Sequence, residues 1–217
     1  MSYTAVIFDF DGTVADTSQG VFNGIHYALK SIGKDETDSE VLSTYIGPPL
    51  FNTLRRYCDS DDEAQELMTT YREYYSTTGL FEAFVYPGIA EALKRLHESS
   101  IKIAVASAKP QVFVEKLLEY FNISQYFDFV RGIRLEDKSP DKADAINAAL
   151  AALGVSAENA LMVGDRCFDI DGANKAGTDS AGVLFGFGSR EEFERSGATY
   201  IVAEASEICD IVLKKCL

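Results

Sequence analysis

The stretch Ala5-Val6-Ile7-Phe8-Asp9-Phe10-Asp11-Gly12-Thr13 sets a short apolar run directly against two acids and a glycine turn. The run is too short for a helix, and its branched residues favour a buried strand. Similar runs recur at Ile103-Ala-Val-Ala106, Ala160-Leu-Met-Val163 and Ala181-Gly-Val-Leu184. Helical patterns lie between them. Ile89, Ala92, Leu93 and Leu96 recur at helical spacing after Pro87-Gly88, and Val112, Val114, Leu117, Leu118 and Phe121 suggest a second helix. Lys142 to Leu153, alanine-rich and closed by Gly154, is a third. Strands alternating with such helices predict an α/β fold, a parallel sheet covered on both faces.

Residues 17–82 break that rhythm. They hold amphipathic stretches (Val21 to Ile32, Pro49 to Tyr57, Glu63 to Tyr75), punctuated by Gly47-Pro48-Pro49, and no convincing strand. The expected organisation is therefore an α/β core made of residues 1–16 and 83–217, with an all-helical insert over 17–82. The last part, from Gly186, reads as one more helix, a short strand at Tyr200-Ile-Val202 and a closing helix.

Composition narrows the function classes. Among 217 residues, 34 Asp+Glu outweigh 20 Lys+Arg to give a net charge of −14, and no basic run offsets it. Nucleic acid and polyanionic lipid surfaces, which need clustered positive charge, are not expected partners. No protein partner is signalled either. The start, MSYTAVIFDFDG, lacks the basic region of a signal peptide, and no long uncharged apolar stretch predicts a membrane span. Cys58, Cys167, Cys209 and Cys216 are scattered without CxxC or zinc spacing, so reduced thiols and a cytoplasmic location are expected. With only His26 and His97 present, mechanisms needing several histidines are nearly excluded.

In open parallel sheets, ligands sit at the carboxyl ends of the strands. Residues at those ends are Asp9 to Thr13, then Ser107-Ala108-Lys109, then Lys138 and Lys142 at a helix start, and Gly164-Asp165 with Asp169 four residues on. Carboxylates gathered in one small volume repel each other unless a cation sits between them. A hard divalent ion such as Mg²⁺ relieves this, taking few carboxylates together with a substrate phosphate. Lysine, serine and the backbone N–H groups of a glycine turn suit phosphate oxygens. A carboxylate can attack phosphorus to give an aspartyl-phosphate. An acid two residues on, on the same side of an extended strand, can handle protons.

Asp9-Phe-Asp-Gly-Thr-Val-Ala-Asp16 resembles the first motif of the haloacid dehalogenase superfamily, DxDGTxxD. Ser107, Lys142 and Gly164-Asp165-Arg-Cys-Phe-Asp169 resemble its second, third and fourth motifs in order, and the helical insert is similar to that family's small cap domain. The resemblance implies a phosphatase on a Rossmann-like core. Asp9 would be the nucleophile and a Mg²⁺ ligand. Asp11 would protonate the leaving oxygen and then activate water, while its backbone carbonyl ligates Mg²⁺. Asp165 would be the third protein ligand, with Asp169 beside it in the acidic shell. Gly12, Ser107, Ala108 and Lys142 would bind the phosphoryl group. An acid at position 11 argues for phosphate chemistry over dehalogenation.

For the third motif, Lys138 and Lys142 both remain candidates; Lys142, heading Lys-Ala-Asp-Ala-Ile, is the preferred one. Ile46-Gly-Pro-Pro-Leu50, Ser107-Ala-Lys-Pro110 and Gly186-Phe-Gly-Ser-Arg-Glu191 resemble phosphoglycolate phosphatase-like proteins, within them a branch that includes bacterial 5′-nucleotidases. The implied substrate is a small phosphorylated metabolite of the phosphoglycolate or nucleoside 5′-monophosphate class. A phosphomutase of the β-phosphoglucomutase kind and a non-catalytic phospho-accepting module are the alternatives.

Several residues also carry plainer readings. Asp16 either caps the first helix of the insert or joins the chemistry, and Asp171 reads as a helix-start acid. Arg55 and Arg56 read as solvated, the alternative being contact with substrate. Tyr71, Tyr74 and Tyr75 are expected to pack the insert, the alternative being a base-stacking surface.

Overall fold

In the computed structural model of the chain, which describes residues 3–36, 38, 41–42, 44–46, 50–134 and 141–213, the opening apolar run forms strand β1 (Ala5–Phe8). The backbone then folds tightly, the Phe10 carbonyl accepting from the N–H groups of Val14 and Ala15 at 2.9 and 3.0 Å. It leaves through a two-residue strand β2 (Ala15–Asp16) and returns through β3 (Phe84–Val85), paired antiparallel to it. Between these lie α1 (Ser18–Ser31), α2 (Leu50–Arg55) and α3 (Asp61–Tyr75).

Val21, Ile25 and Leu29 of α1 share one buried cluster with Leu54 of α2 and Leu67 and Tyr71 of α3. That cluster runs on through Phe10, Val14, Tyr45 and Ile46 into the core, so the helical insertion is packed on the sheet domain and not merely tethered to it.

The rest alternates as expected: α4 (Ile89–Glu98), β4 (Lys102–Pro110), α5 (Gln111–Tyr120), β5 (Phe129–Ile133), α6 (Lys142–Leu153), β6 (Ala160–Gly164), α7 (Cys167–Ala176), β7 (Asp179–Val183), α8 (Arg190–Ser196), β8 (Tyr200–Val202) and α9 (Ala205–Val212). The six long-range strands pair in the order β5-β4-β1-β6-β7-β8, all parallel. β1 is central, with Ile7 opposite Ala104 on one side and Met162 on the other. Its side chains alternate between two cores. Ala5 and Ile7 pack with Ile146, Ala149 and Ala173 of α6 and α7. Val6 and Phe8 join the cluster holding Leu93, Leu96, Val114 and Ile208 of α4, α5 and α9. Cover on both faces is why this strand reads as an unbroken apolar run.

Two expectations change, and one strand is new. β5 carries no clear sequence signal, because Arg131 and Gly132 interrupt its apolar run and it is an edge strand. β4 continues past Ala106 to Pro110 with an irregular register against β5, so Ser107, Ala108 and Lys109 lie within its irregular end. Asp11 does not stand on extended strand: β1 ends at Phe8, and the turn through Gly12, at φ +80°, sets its direction.

Candidate active site

The carboxyl ends of β1, β4 and β6 and the starts of α6 and α7 bring one polar cluster together. Asp9, just past β1, donates its backbone N–H to the Val163 carbonyl at 2.9 Å, which locks it beside β6. Asp165 follows β6 and Asp169 lies in the first turn of α7; Asp9, Asp165 and Asp169 are all buried, and each offers an oxygen within 4.8 Å of the others. Asp141 caps α6 by accepting from the Ala143 N–H at 2.9 Å, which starts the helix at Lys142. From there the Lys142 ammonium reaches Asp9 Oδ1 at 3.0 Å and Asp169 Oδ1 at 2.8 Å, and donates to the Ala106 carbonyl at 3.1 Å.

Each acid is held separately. Asp165 accepts from the Phe187 N–H at 2.9 Å and the Thr13 hydroxyl at 3.4 Å. Asp169 accepts from the Arg166 N–H at 3.0 Å, closing the first turn of α7. Gly12 is required where it stands, since a β-carbon there would lie 2.1 Å from Asp165 Oδ2.

The electrostatics follow from burial. Removal from water raises the Asp9 carboxyl to about 6, the Lys142 charge and a Ser107 hydrogen bond pulling it down while Asp169 and Asp11 push it up. Burial and the neighbouring Asp169 and Asp9 charges hold Asp165 well above the usual carboxylate range. Burial alone would favour a neutral Lys142 amine, but Asp169 and Asp9 outweigh it and keep the ammonium charged.

The donor set fits a hard divalent cation. All three acids present oxygen, the buried Oδ1 atoms of Asp9 and Asp169 share the one Lys142 ammonium, and burial with mutual repulsion holds the Asp9 and Asp165 carboxyls above their usual range.

Asp11 is arranged differently. Its carboxylate faces Lys109 at 3.0 and 3.2 Å and takes the Thr17 hydroxyl at 2.6 Å, with Lys109 also donating to the Tyr75 hydroxyl. It lies close enough for its charge to act on Asp9.

The structure thus gathers Asp9, Ser107, Lys142, Asp165 and Asp169, with Gly12 against Asp165 and Asp11 beside them. Lys138 and the Gly47-Pro48-Pro49 segment lie outside the described residues. Asp16 accepts from the Ser18 N–H at 2.9 Å, but the N-cap of α1 is Thr17, so Asp16 meets the helix from one residue before the cap. Arg55 is tied to Asp61 and the Cys58 carbonyl, and Tyr75 is buried against Tyr71 and Phe113. Asp171 is exposed. Among the described residues no helix is long and apolar enough to cross a membrane.

The sequence places Thr13 and Lys109 at strand ends without marking them as partners of the acids, and nothing in it marks Thr17 or Arg166 as such partners. Arg166 extends from the fourth motif to the Ile46 carbonyl at 2.8 Å, joining core to insertion.

A six-stranded parallel sheet with an acid cluster at its carboxyl rim and a helical insertion after the first strand defines a class of hydrolase. The chain belongs to the haloacid dehalogenase-like hydrolases, whose family model matches residues 6–183. It is 33% identical to a 5′-nucleotidase of Pseudomonas aeruginosa over 98% of this chain and 96% of that protein. A tyrosine-protein kinase PtkA of Mycobacterium tuberculosis is 32% identical over 95% of this chain and 70% of that protein. A phosphoglycolate phosphatase of Vibrio parahaemolyticus is 28% identical over 95% of each. The crystal structure of a predicted phosphatase from Clostridium acetobutylicum superposes with a TM-score of 0.92 at 35% identity, covering 99% of this chain and all of that one.

Proposed function

We propose that the chain is a Mg²⁺-dependent phosphatase acting on a small phosphomonoester of the phosphoglycolate or nucleoside 5′-monophosphate class. The observation that carries this reading is the meeting of Asp9, Asp165, Asp169 and Lys142 at one rim, with Asp11 two residues from Asp9. In the first step an oxygen of Asp9 forms a bond to phosphorus as the bond to the leaving oxygen breaks, and Asp11 gives that oxygen a proton. In the second, Asp11 takes a proton from water, whose oxygen attacks the same phosphorus. The Asp9–phosphorus bond then breaks, releasing inorganic phosphate and restoring the carboxylate. Lys142 and Ser107, with the backbone N–H of Ala108, hold the phosphoryl oxygens and offset the charge that builds on them, while Gly12, whose own N–H goes to the Ala15 carbonyl at 2.9 Å, shapes the turn beside them.

Asp9, Asp165 and the main-chain carbonyl of Asp11 would hold the cation, with Asp169 beside them. When bound, Mg²⁺ supplies positive charge that draws the phosphate to Asp9. Residues 17–82 serve as a cap over a core of residues 1–16 and 83–217, excluding water during the reaction.

Phosphate release from a panel of phosphometabolites, with Mg²⁺, with EDTA, and with Asp9→Asn, tests the reading. Metal-dependent release by the wild type alone is expected. Equal release by Asp9→Asn would remove Asp9 as the nucleophile.

A further inference from the structure

Lys109 is a buried cation that the two steps above do not use. Its side chain is 4% exposed at the irregular end of β4. The ammonium has three N–H donors, and it faces both oxygens of Asp11 and the hydroxyl of Tyr75. Burying a lysine is costly unless its charge is paired, and an apolar side chain in the same place would avoid that cost. What the fold obtains in return is a fixed Asp11.

The grip comes from both ends of the helical insertion. Thr17, the N-cap of α1, donates to Asp11 Oδ1. Tyr75, the last residue of α3, holds Lys109 from the other side, its ring stacked on Tyr71 and edge-on to Phe113. An aspartate carboxylate turns readily about its last bond. Thr17 alone contacts one oxygen; Lys109 contacts both and so fixes the plane of the group.

We infer that Lys109 is the positioning residue for Asp11, and that the Tyr75 hydroxyl sets Lys109, so that an Asp11 oxygen is aimed at the departing oxygen of the substrate. The inference rests on Asp11 being the acid/base. A group that delivers a proton must lie within hydrogen-bond reach of its target, and a displacement of ~1 Å can cost on the order of 10²-fold in rate.

The test compares kcat/KM for two substrates, since that parameter covers only steps through departure of the leaving group. p-Nitrophenyl phosphate has a leaving group that departs without a proton, whereas an alkyl phosphate needs one. Asp11→Asn calibrates the comparison and should lower the alkyl substrate selectively, by roughly 10²-fold or more. Tyr75→Phe, which keeps the ring packing, and Lys109→Met should each lower the alkyl kcat/KM about 10-fold or more while sparing the aryl one.

If Asp11→Asn is selective but the other two variants leave both substrates unchanged, or lower both alike, Lys109 and Tyr75 are structural only and the inference is wrong. If Asp11→Asn itself lowers both substrates equally, the acid/base reading fails and the inference falls with it. Thermal melts accompany each variant. Should Lys109→Met not fold, Tyr75→Phe decides alone.

Discussion

Lys142 stands between two carboxylates that would otherwise share a buried space without compensation. Its ammonium is 3.0 Å from Asp9 and 2.8 Å from Asp169, with the lysine side chain 10% exposed. Lys142→Met keeps the stem and removes the charge. Leaving buried partners unpaired costs about 3–5 kcal/mol when nothing relieves it. Protonation is the available relief. A carboxyl whose folded pKa is raised above its unfolded value loses stability as pH climbs between the two. Asp9 already sits at about 6 with the ammonium present, and without it the value rises further. Denaturant melts in EDTA should therefore show Lys142→Met much less stable than the wild type at pH 8, with the gap narrowing at pH 5. A gap independent of pH would mean that Lys142 contributes packing rather than charge.

At the scale of elements, the site depends on how closely α6 and α7 approach. Gly172 on α7 faces the stem of Lys142, and a β-carbon there would lie 2.7 Å from Lys142 Cγ. Gly172→Ala should displace the ammonium from Asp9 and lower kcat by roughly 10-fold or more, while changing KM less, because the contact matters most as charge builds on the phosphoryl group. Unchanged kcat in a folded variant would show that the lysine stem can yield.

α6 was legible in the sequence because alanine-rich spacing ends at Gly154, whose φ of +66° is the left-handed cap that glycine favours. β5 was not, since a half-buried edge strand containing Arg131 and Gly132 lacks the apolar run that marked its neighbours. The β2–β3 ribbon, two residues on each side, is below what any periodicity can signal. Four of the acids and Lys142 could be found as motifs. The partners of Asp11 could not, because Lys109 lies 98 residues from Asp11 and 34 from Tyr75, and only the folded chain brings them together.

For the molecule as a whole, an acidic chain of net charge −14 builds its site from more acid still. A cation bound to that site in the native state alone stabilises the fold by about 2.7 kcal/mol at a hundred times its dissociation constant. For a chain of this length that is several degrees in Tm. Protons and cation compete for the same oxygens. With Asp9 raised to about 6, the gain from Mg²⁺ should be small at pH 5 and larger at pH 8. Thermal melts with MgCl₂ against ionic-strength-matched KCl measure it. A shift reproduced by KCl, or equal at the two pH values, would point to general screening instead of a site.

In the proposed reaction Asp9 carries the phosphoryl group. Borohydride reduces an acyl-phosphate to the alcohol, so quenching the wild type during turnover should convert residue 9 to homoserine, read by peptide mass spectrometry. Conversion is expected at position 9, dependent on substrate and absent without it. Turnover with no conversion there, or conversion at another acid, would contradict that role.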